Sequence, residues 1–229
     1  MRGAGEARGA LQASAQQTPP PEARSVFGPA LETAERYAEL LAGPGVERGL
    51  IGPRETTRLW ERHLMNCAAV AELVPHPCSV IDLGSGAGLP GIILAMLLPD
   101  CEVVLLEPMA RRVLFLEECV RVLGLPNAAV HRGRAEDAAG HLVADVVTAR
   151  AVAPLERLAG LALGLTAPGG LVLAMKGAGA AAEIERARPV LRRLGARDVA
   201  VVHPGKGRVS PPPTVVRFTA GSGGSRADG

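Results

Sequence analysis

Aromatic residues are scarce in this 229-residue chain, where one Trp, one Tyr and three Phe make up 2% of the sequence. A non-enzymatic RNA-binding module needs a contiguous basic and aromatic face, so the composition argues against that class. Lysine is also rare, since only Lys176 and Lys206 are found among 25 basic residues, and the formal net charge is +2. Overall basicity therefore identifies no partner.

The four cysteines lie far apart and form no C-x-x-C pair, so neither a zinc site nor a disulfide framework is indicated. We expect no metal site and a reducing compartment. The longest apolar run, Ile92 to Leu98, is too short to span a bilayer. The N-terminus has no apolar segment typical of a secretory signal. These absences predict a cytoplasmic protein, without membrane contact, which we expect to be a monomer.

Hydrophobic residues make up 48% of the chain, which suffices for one sizeable α/β core. The Ala, Gly, Gln and Pro-rich residues 1–24 predict a disordered N-terminal extension. We expect residues 25–75 to form a helical segment packed on the core, residues 76–219 to form the core itself, and residues 220–229 to be a disordered tail.

The most informative stretch runs from Ser79 to Gly91, where a short apolar strand ends in an acid and closely spaced glycines before the apolar run Ile92–Leu98. This pattern predicts a strand, a tight turn and a helix. Glycine lets the backbone approach a ligand closely, and the N-terminus of the following helix offers free N–H groups. A nucleotide-like ligand is therefore expected here.

The glycine spacing allows two interpretations. Gly86-x-Gly88-x-x-Gly91 matches the dinucleotide fingerprint, in which a pyrophosphate lies on the helix N-terminus. Asp82-x-Gly84-x-Gly86-x-Gly88 instead resembles the first motif of Rossmann-like S-adenosylmethionine-dependent methyltransferases. Pro90 favours the second, because proline removes an N–H that a phosphate would use.

A second acid, Glu107, ends the apolar strand Val103–Leu106, 23 residues after Gly84. A carboxylate at this distance accepts hydrogen bonds from a ribose diol, which predicts that Glu107 binds the cofactor. The alternative is that Glu107 caps the helix that follows.

Later in the chain, strand and helix patterns alternate up to two final strands, which gives seven strands in total. A turn is expected at Pro168-Gly169-Gly170, before the fifth strand. We predict a mostly parallel sheet with helices on both faces and an antiparallel last pair. Ligands bind outside the carboxyl ends of such strands, at the switch point. Gly84, Glu107, Glu136, Arg150 and Lys176 are all expected at that edge.

Three polar residues each allow two interpretations. Glu136, in the turn after the third strand, either accepts a hydrogen bond from an adenine amino group or caps a helix. In a helix expected from about Thr56 to Leu73, His63 shares a face with Trp60 and Leu64, which favours packing over ligand binding. Arg150 follows the fourth strand, where its guanidinium either binds a carboxylate or phosphate or forms a surface ion pair with Glu156 or Glu136.

Several motifs taken together are specific: the run Asp82 to Gly91, Ala135-Glu136, Ala149-Arg150-Ala151-Val152, Met175-Lys176-Gly177 and Trp60-Glu-Arg-His-Leu64. Over residues 30 to 219 they make the chain resemble the bacterial 16S ribosomal RNA guanine-N7 methyltransferase family, also called glucose-inhibited division protein B. The resemblance implies a Rossmann-like class I methyltransferase fold with a small N-terminal helical extension, and S-adenosyl-L-methionine as cofactor.

The resemblance also implies a substrate and a site. The substrate is a guanine in 16S ribosomal RNA or in a precursor of the small ribosomal subunit. The cofactor-binding residues are Gly84, Leu89, Ala135, Glu136 and Arg150, to which the glycine and strand patterns add Gly86 and Glu107; Arg150 is also the candidate catalytic residue. We expect RNA phosphates to be bound by Arg111, Arg112, Arg134, Lys206 and Arg208. A small-molecule methyltransferase is the alternative function.

Overall fold

The computed structural model describes residues 18–221. Its seven strands are β1 (Ser79–Leu83), β2 (Glu102–Glu107), β3 (Ala128–Arg132), β4 (Ala144–Arg150), β5 (Thr166–Lys176), β6 (Arg197–Val202) and β7 (Thr214–Thr219). The α-helices are α1 (Ala23–Phe27), α2 (Leu31–Leu40), α3 (Met65–Val70), α4 (Gly91–Leu97), α5 (Ala110–Leu123), α6 (Ala135–Ala138), α7 (Leu155–Leu163) and α8 (Ala180–Arg193). None of the helices within residues 18–221 has the length and apolar character to cross a bilayer.

The strands form one sheet in the order β3-β2-β1-β4-β5-β7-β6. The first five are parallel, while β7 lies antiparallel between β5 and β6. This arrangement confirms the predicted seven-stranded, mostly parallel fold. The strand order reverses between β1 and β4, and loops leaving these neighbouring strands in opposite directions open a crevice at their carboxyl ends.

Helices cover both faces of the sheet, and the period-2 alternation of the strands assigns residues to each face. On β1, Val80 belongs to the cluster beneath α1 to α5, while its neighbour Ile81 belongs to the cluster beneath α7 and α8. The N-terminal segment contributes Phe27 and Trp60 to the first cluster, with their rings in an edge-to-face contact at 5.8 Å. The N-terminal helices therefore share a continuous core with the sheet.

Two boundaries differ from those expected. Helix α1 begins at Ala23, inside the extension predicted to be disordered, because the Ala23 side chain is fully buried in the core. Ala220, at the start of the predicted disordered tail, donates its N–H to the carbonyl of Gly170 at 2.8 Å. Most of the two predicted disordered segments, namely residues 1–17 and 222–229, lies outside the described residues.

Two predictions of local secondary structure were wrong. The single helix expected from about Thr56 to Leu73 is a series of short pieces, with 3₁₀ turns at Pro53–Arg58 and Ala71–Leu73, a π-helical turn at Leu59–Leu64, and only α3 regular. The turn expected at Pro168 to Gly170 lies inside β5. A Cβ on Gly170 would lie only 2.7 Å from the backbone oxygen of Asp145. Glycine there lets β5 lie close to the start of β4.

Candidate active site

The glycine turn leaves β1 between the ends of its two neighbours. Leu83, the last residue of β1, pairs with Leu106 on β2 and with Ala149 on β4. The N–H groups of Gly84 and Ser85 both donate to the carbonyl of Leu106, at 2.9 and 3.1 Å. These bonds fix the turn at the switch point, where the sequence placed it.

The glycines of the turn have different surroundings. Gly84 has φ +71° and borders a cavity, and Gly86 has φ +60° with almost no atoms near the position of a Cβ. A Cβ on Gly88 would lie 2.5 Å from Ile92, and one on Gly91 would lie 2.3 Å from Leu105. The later two glycines therefore serve packing inside the protein, whereas Gly84 borders the cavity and Gly86 is partly exposed.

A first cavity of about 280 Å³ opens beside Gly84. It is lined on one side by Glu107 and on the other by Ala135 and Glu136, with Val152 beside Gly84. Four of the predicted cofactor-binding residues thus meet here from three different loops. Gly86 and Leu89 do not line this cavity, and Leu89 is buried in the hydrophobic core.

Glu107 is almost fully buried, at 1% exposure. Its Oε2 accepts the N–H of Gly86 at 2.9 Å, and its Oε1 accepts the N–H of Met109 at 3.0 Å. The guanidinium of Arg112 lies 3.5 Å from the same carboxylate. Glu107 therefore binds the backbone next to α5, as the capping interpretation proposed, and also lines the cavity, as the ligand interpretation proposed.

Asp82 is a polar residue that the sequence analysis left out of the site. Its side chain is fully buried, its Oδ2 accepts the N–H of Gly91 at 3.0 Å, and its Oδ1 has no hydrogen-bond partner among the described residues. Burial raises the pKa of Asp82 to about 7. A buried acid with one unsatisfied oxygen is costly for stability, and the acidic position of the glycine motif was the sequence signal for it.

Glu136 lies in the first turn of the short helix α6, with its side chain half exposed and 3.5 Å from Arg157. A hydrogen bond to its own backbone N–H, followed by the bond to Arg157, lowers the pKa of Glu136. The carboxylate is thus ionised and bonded to the start of the helix, at the wall of the first cavity. Both interpretations of this residue agree with its position.

Arg150 ends β4 and lines a second cavity, of about 590 Å³, together with Arg62 and Lys176. Its guanidinium donates to Nδ1 of His63 and to Sγ of Cys67, the latter at 3.4 Å. The ion pair expected as the alternative is not formed, because Glu156 pairs with Arg186 and Glu136 with Arg157. Arg150 thus faces the N-terminal segment and the second cavity.

A short loop from Ala151 to Pro154 separates the two cavities, and its residues Ala151 to Ala153 line both. Ala151 has φ +54°, a conformation that alanine adopts only when its surroundings impose it. Lys176 Nζ donates to the carbonyl of Ala153 at 2.7 Å and pairs with Glu183 at 2.8 Å. Glu183 accepts the N–H of Leu155 at 3.1 Å, so the Lys176–Glu183 pair holds the C-terminal end of the loop.

His63 and Lys176 therefore have clear partners. His63 is buried at 8% exposure, with Nε2 2.8 Å from Glu55 and Nδ1 on Arg150. The packing interpretation was incomplete, because Glu55 precedes His63 by eight residues and the intervening 3₁₀ and π turns, not a regular helix, bring the two together.

No cluster of His, Cys, Asp and Glu able to hold a metal occurs within the described part of the chain.

A sequence model of the GidB family, described as rRNA small subunit methyltransferase G, matches residues 30–210. The chain is 59% identical over 201 residues to the ribosomal RNA small subunit methyltransferase G of Thermobifida fusca, covering 88% of this chain and 85% of the relative. It is 53% identical over 213 residues to the protein of the same name from Streptomyces coelicolor, covering 92% and 89%.

Among solved structures, a SAM-dependent O-methyltransferase from Thermotoga maritima superposes with a TM-score of 0.56 at 13% identity, covering 70% of this chain and 66% of that one. At this identity the likeness shows the fold alone, and it agrees with the Rossmann-like methyltransferase architecture deduced from the strand order. The family match covers the glycine turn, the first cavity, the loop between the cavities and all of the second cavity's lining except Pro213. This chain belongs to the GidB family of rRNA small subunit methyltransferases G.

Proposed function

We propose that this protein transfers the methyl group of S-adenosylmethionine to N7 of one guanine in 16S ribosomal RNA. The observation that carries the proposal is the pair of cavities on either side of the loop Ala151–Ala153, at the switch point of the sheet. A transferase needs two sites that meet at one point, and this loop is where they meet. Family membership supports the class of substrate.

The first cavity suits the adenosine part of the cofactor. The buried carboxylate of Glu107 supplies an acceptor for ribose hydroxyls. The backbone at Gly84 and Gly86 allows close approach, while Ala135 and Glu136 form the wall opposite. We assign the methionine part of the cofactor to the side of the turn nearer Asp82 and Arg150, and Leu89 supports the turn from the core. Bound S-adenosylmethionine would supply an activated methyl group.

The second cavity suits the base that receives the methyl group. Its lining includes Arg62 and Arg150, which attract a phosphate-bearing substrate, and the ion pair of Lys176 with Glu183. Burial is the largest influence on the pKa of Glu183 and raises it. The hydrogen bond to Lys176 and the charge of Lys176 outweigh burial, so the pKa is lowered from its ordinary value. An ionised carboxylate beside the base stabilises the positive charge that N7 methylation creates.

The reaction requires few catalytic side chains. Guanine N7 presents a lone pair, so no residue has to remove a proton before attack. Catalysis then consists of holding the two reactants in line at contact distance. This agrees with a site whose polar groups are largely fixed by hydrogen bonds, Lys176 to the loop and Arg150 to His63.

The direct test is methylation of small-subunit particles and of naked 16S ribosomal RNA, both from cells that lack the gene, followed by mapping of 7-methylguanine. We expect one modified guanine. Calorimetry should show S-adenosylhomocysteine binding in the micromolar range, roughly −8 kcal/mol, and no NAD binding. Turnover of a small metabolite without RNA methylation would favour the alternative small-molecule activity.

RNA binding supplies a second test, because contacts to phosphates release counterions. Affinity for ribosomal RNA should fall steeply as salt rises. Of the proposed phosphate contacts, Arg112 lies beside Glu107 and Arg208 pairs with Glu72 at 2.5 Å, so these two must exchange partners on binding. We expect Arg111, Arg134 and Lys206 to contribute more to RNA binding.

We also propose that the protein acts as a monomer in the cytoplasm, where its ribosomal substrate is found.

A further inference from the structure

His63 connects a carboxylate to the guanidinium of Arg150. Its ring lies between Glu55, in the 3₁₀ turn Pro53–Arg58, and Arg150, at the end of β4. One ring nitrogen, Nε2, is 2.8 Å from Glu55 Oε2, and the other, Nδ1, contacts the Arg150 guanidinium. The imidazole is 8% exposed, so water does not compete effectively for either nitrogen.

The chemistry of the partners assigns the proton on this ring. A guanidinium only donates hydrogen bonds, so Nδ1 of His63 must accept. The single proton of the neutral imidazole is then on Nε2, where it is donated to the Glu55 carboxylate. The three side chains form a directed chain in which Arg150 donates to His63 and His63 donates to Glu55.

A neutral partner has a consequence for Arg150. A carboxylate in contact with the guanidinium would cancel its charge, whereas an imidazole orients the guanidinium and leaves the charge in place. Within residues 18–221 no carboxylate lies at ion-pair distance from Arg150, and its second contact is the weakly accepting Sγ of Cys67. The guanidinium is thus fixed in direction and still able to attract an anion.

We propose that His63 is a positioning residue for methyl transfer: with Glu55 behind it, His63 holds the Arg150 guanidinium in the second cavity in a charged state that binds the anionic group of cofactor or RNA. This rests on the proposed function, in which Arg150 contacts the cofactor carboxylate or a substrate phosphate. It gives the Trp60 to Leu64 segment a role in the reaction in addition to its packing on the core.

The proposal includes a pH dependence. The charged groups facing the ring are Glu55 and Arg62 from the N-terminal segment and Arg150 from β4, and Asp82 and Cys67 lie near Arg150. Burial, and then the charge of Arg150, lowers the pKa of His63, against the opposing bond to Glu55. Protonation of His63 would place an N–H on Nδ1 that faces the N–H donors of Arg150. Activity should therefore fall at acid pH as His63 becomes protonated.

The kinetic experiment compares His63→Phe, which has no acceptor, with His63→Asn, whose amide oxygen can replace Nδ1 and does not titrate. We expect His63→Phe to lower kcat/KM on small-subunit particles about 10²-fold, and His63→Asn to recover most activity and lose the acid limb below pH 6.5. In the double variant with Arg150→Ala, His63→Phe should add no further loss. The matched control is His76→Asn, which alters an exposed histidine beside Asp100 and should behave as wild type.

A second measurement does not depend on activity. Nitrogen NMR of labelled protein should show His63 with an unprotonated Nδ1 in the wild type, and Arg150→Ala should allow the ring to be protonated at higher pH. A proton on Nδ1, or additive losses in the double variant, would overturn the proposal even if the enzyme is active. Absence of any rRNA methylation by the wild type would instead refute the proposed function, and the NMR result would still decide the role of His63 toward Arg150.

Discussion

The Glu107 carboxylate accepts the backbone N–H of Gly86 at 2.9 Å and so joins the end of β2 to the glycine turn after β1. This bond uses the N–H that a dinucleotide phosphate would need at the turn. The same carboxylate lines the first cavity, where a ribose would meet it. One acid therefore shapes the turn and limits the class of ligand that the turn accepts.

Replacing Glu107 by Gln should weaken S-adenosylhomocysteine binding by about 1–3 kcal/mol, because a charged acceptor is lost and an amide donor faces one of two backbone N–H groups. Calorimetry measures this change. Glu102→Gln, at the exposed start of the same strand, is the matched control. Unchanged affinity with a lowered melting temperature would leave Glu107 with only its role in the turn.

Asp82 should make stability depend on pH in an unusual direction. Its pKa is raised from 3.8 to about 7 in the folded protein, so between these values the folded state holds a proton that the unfolded chain has lost. The stabilising contribution is therefore present at low pH and lost as pH rises through about 7. Asp82→Asn should remove this loss and increase the free energy of unfolding at pH 8 by on the order of 2 kcal/mol.

Urea unfolding at pH 6 and pH 8 measures this effect, with the exposed Asp100→Asn as control. We expect Asp82→Asn to weaken cofactor binding at the same time, because the buried charge next to the turn is removed. A variant less stable than the wild type at pH 8 would contradict the assignment of Asp82 as an uncompensated buried acid.

Arg150→Ala should lower kcat/KM by on the order of 10²-fold or more, which corresponds to about 3 kcal/mol of transition-state stabilisation. Arg150→Lys should restore little, because an ammonium cannot contact His63 and Cys67 while also binding an anion in two places. Arg186→Ala removes an exposed arginine paired with Glu156 and serves as control. Near-normal activity of both Arg150 variants would assign the residue to packing.

Lys176 offers a test of the loop between the cavities. Lys176→Met leaves the half-buried Glu183 without its cation and the Ala153 carbonyl without its donor, so we expect about 1–3 kcal/mol of lost stability and a fall in kcat. Arg193→Met is the control, since Arg193 is an exposed cation in the last turn of α8 and has no proposed contact with RNA. Thermal unfolding and steady-state rates measure the two effects; a loss of stability with an unchanged kcat would separate the loop from catalysis.

The sequence determined the framework. Apolar runs bounded by turn residues assigned the strands, and the glycines after Asp82 marked the switch point, because burial and positive φ leave local signatures in a chain. It also indicated which residues reach the carboxyl edge, since parallel strands end there together. Gly84, Glu107 and Glu136 were predicted on this basis, the resemblance to the family added Ala135, and the four residues meet at one cavity.

Only the tertiary structure decided what these residues contact. His63 reaches Arg150 across 87 residues of sequence, and Glu107 reaches Gly86 across 21. Local periodicity reports whether a side chain is buried, and it does not report which loop lies opposite. The unsatisfied oxygen of Asp82, the neutral partner of Arg150 and the loop dividing the cavities depend on strand order and on how the N-terminal segment packs, which are properties of the whole fold.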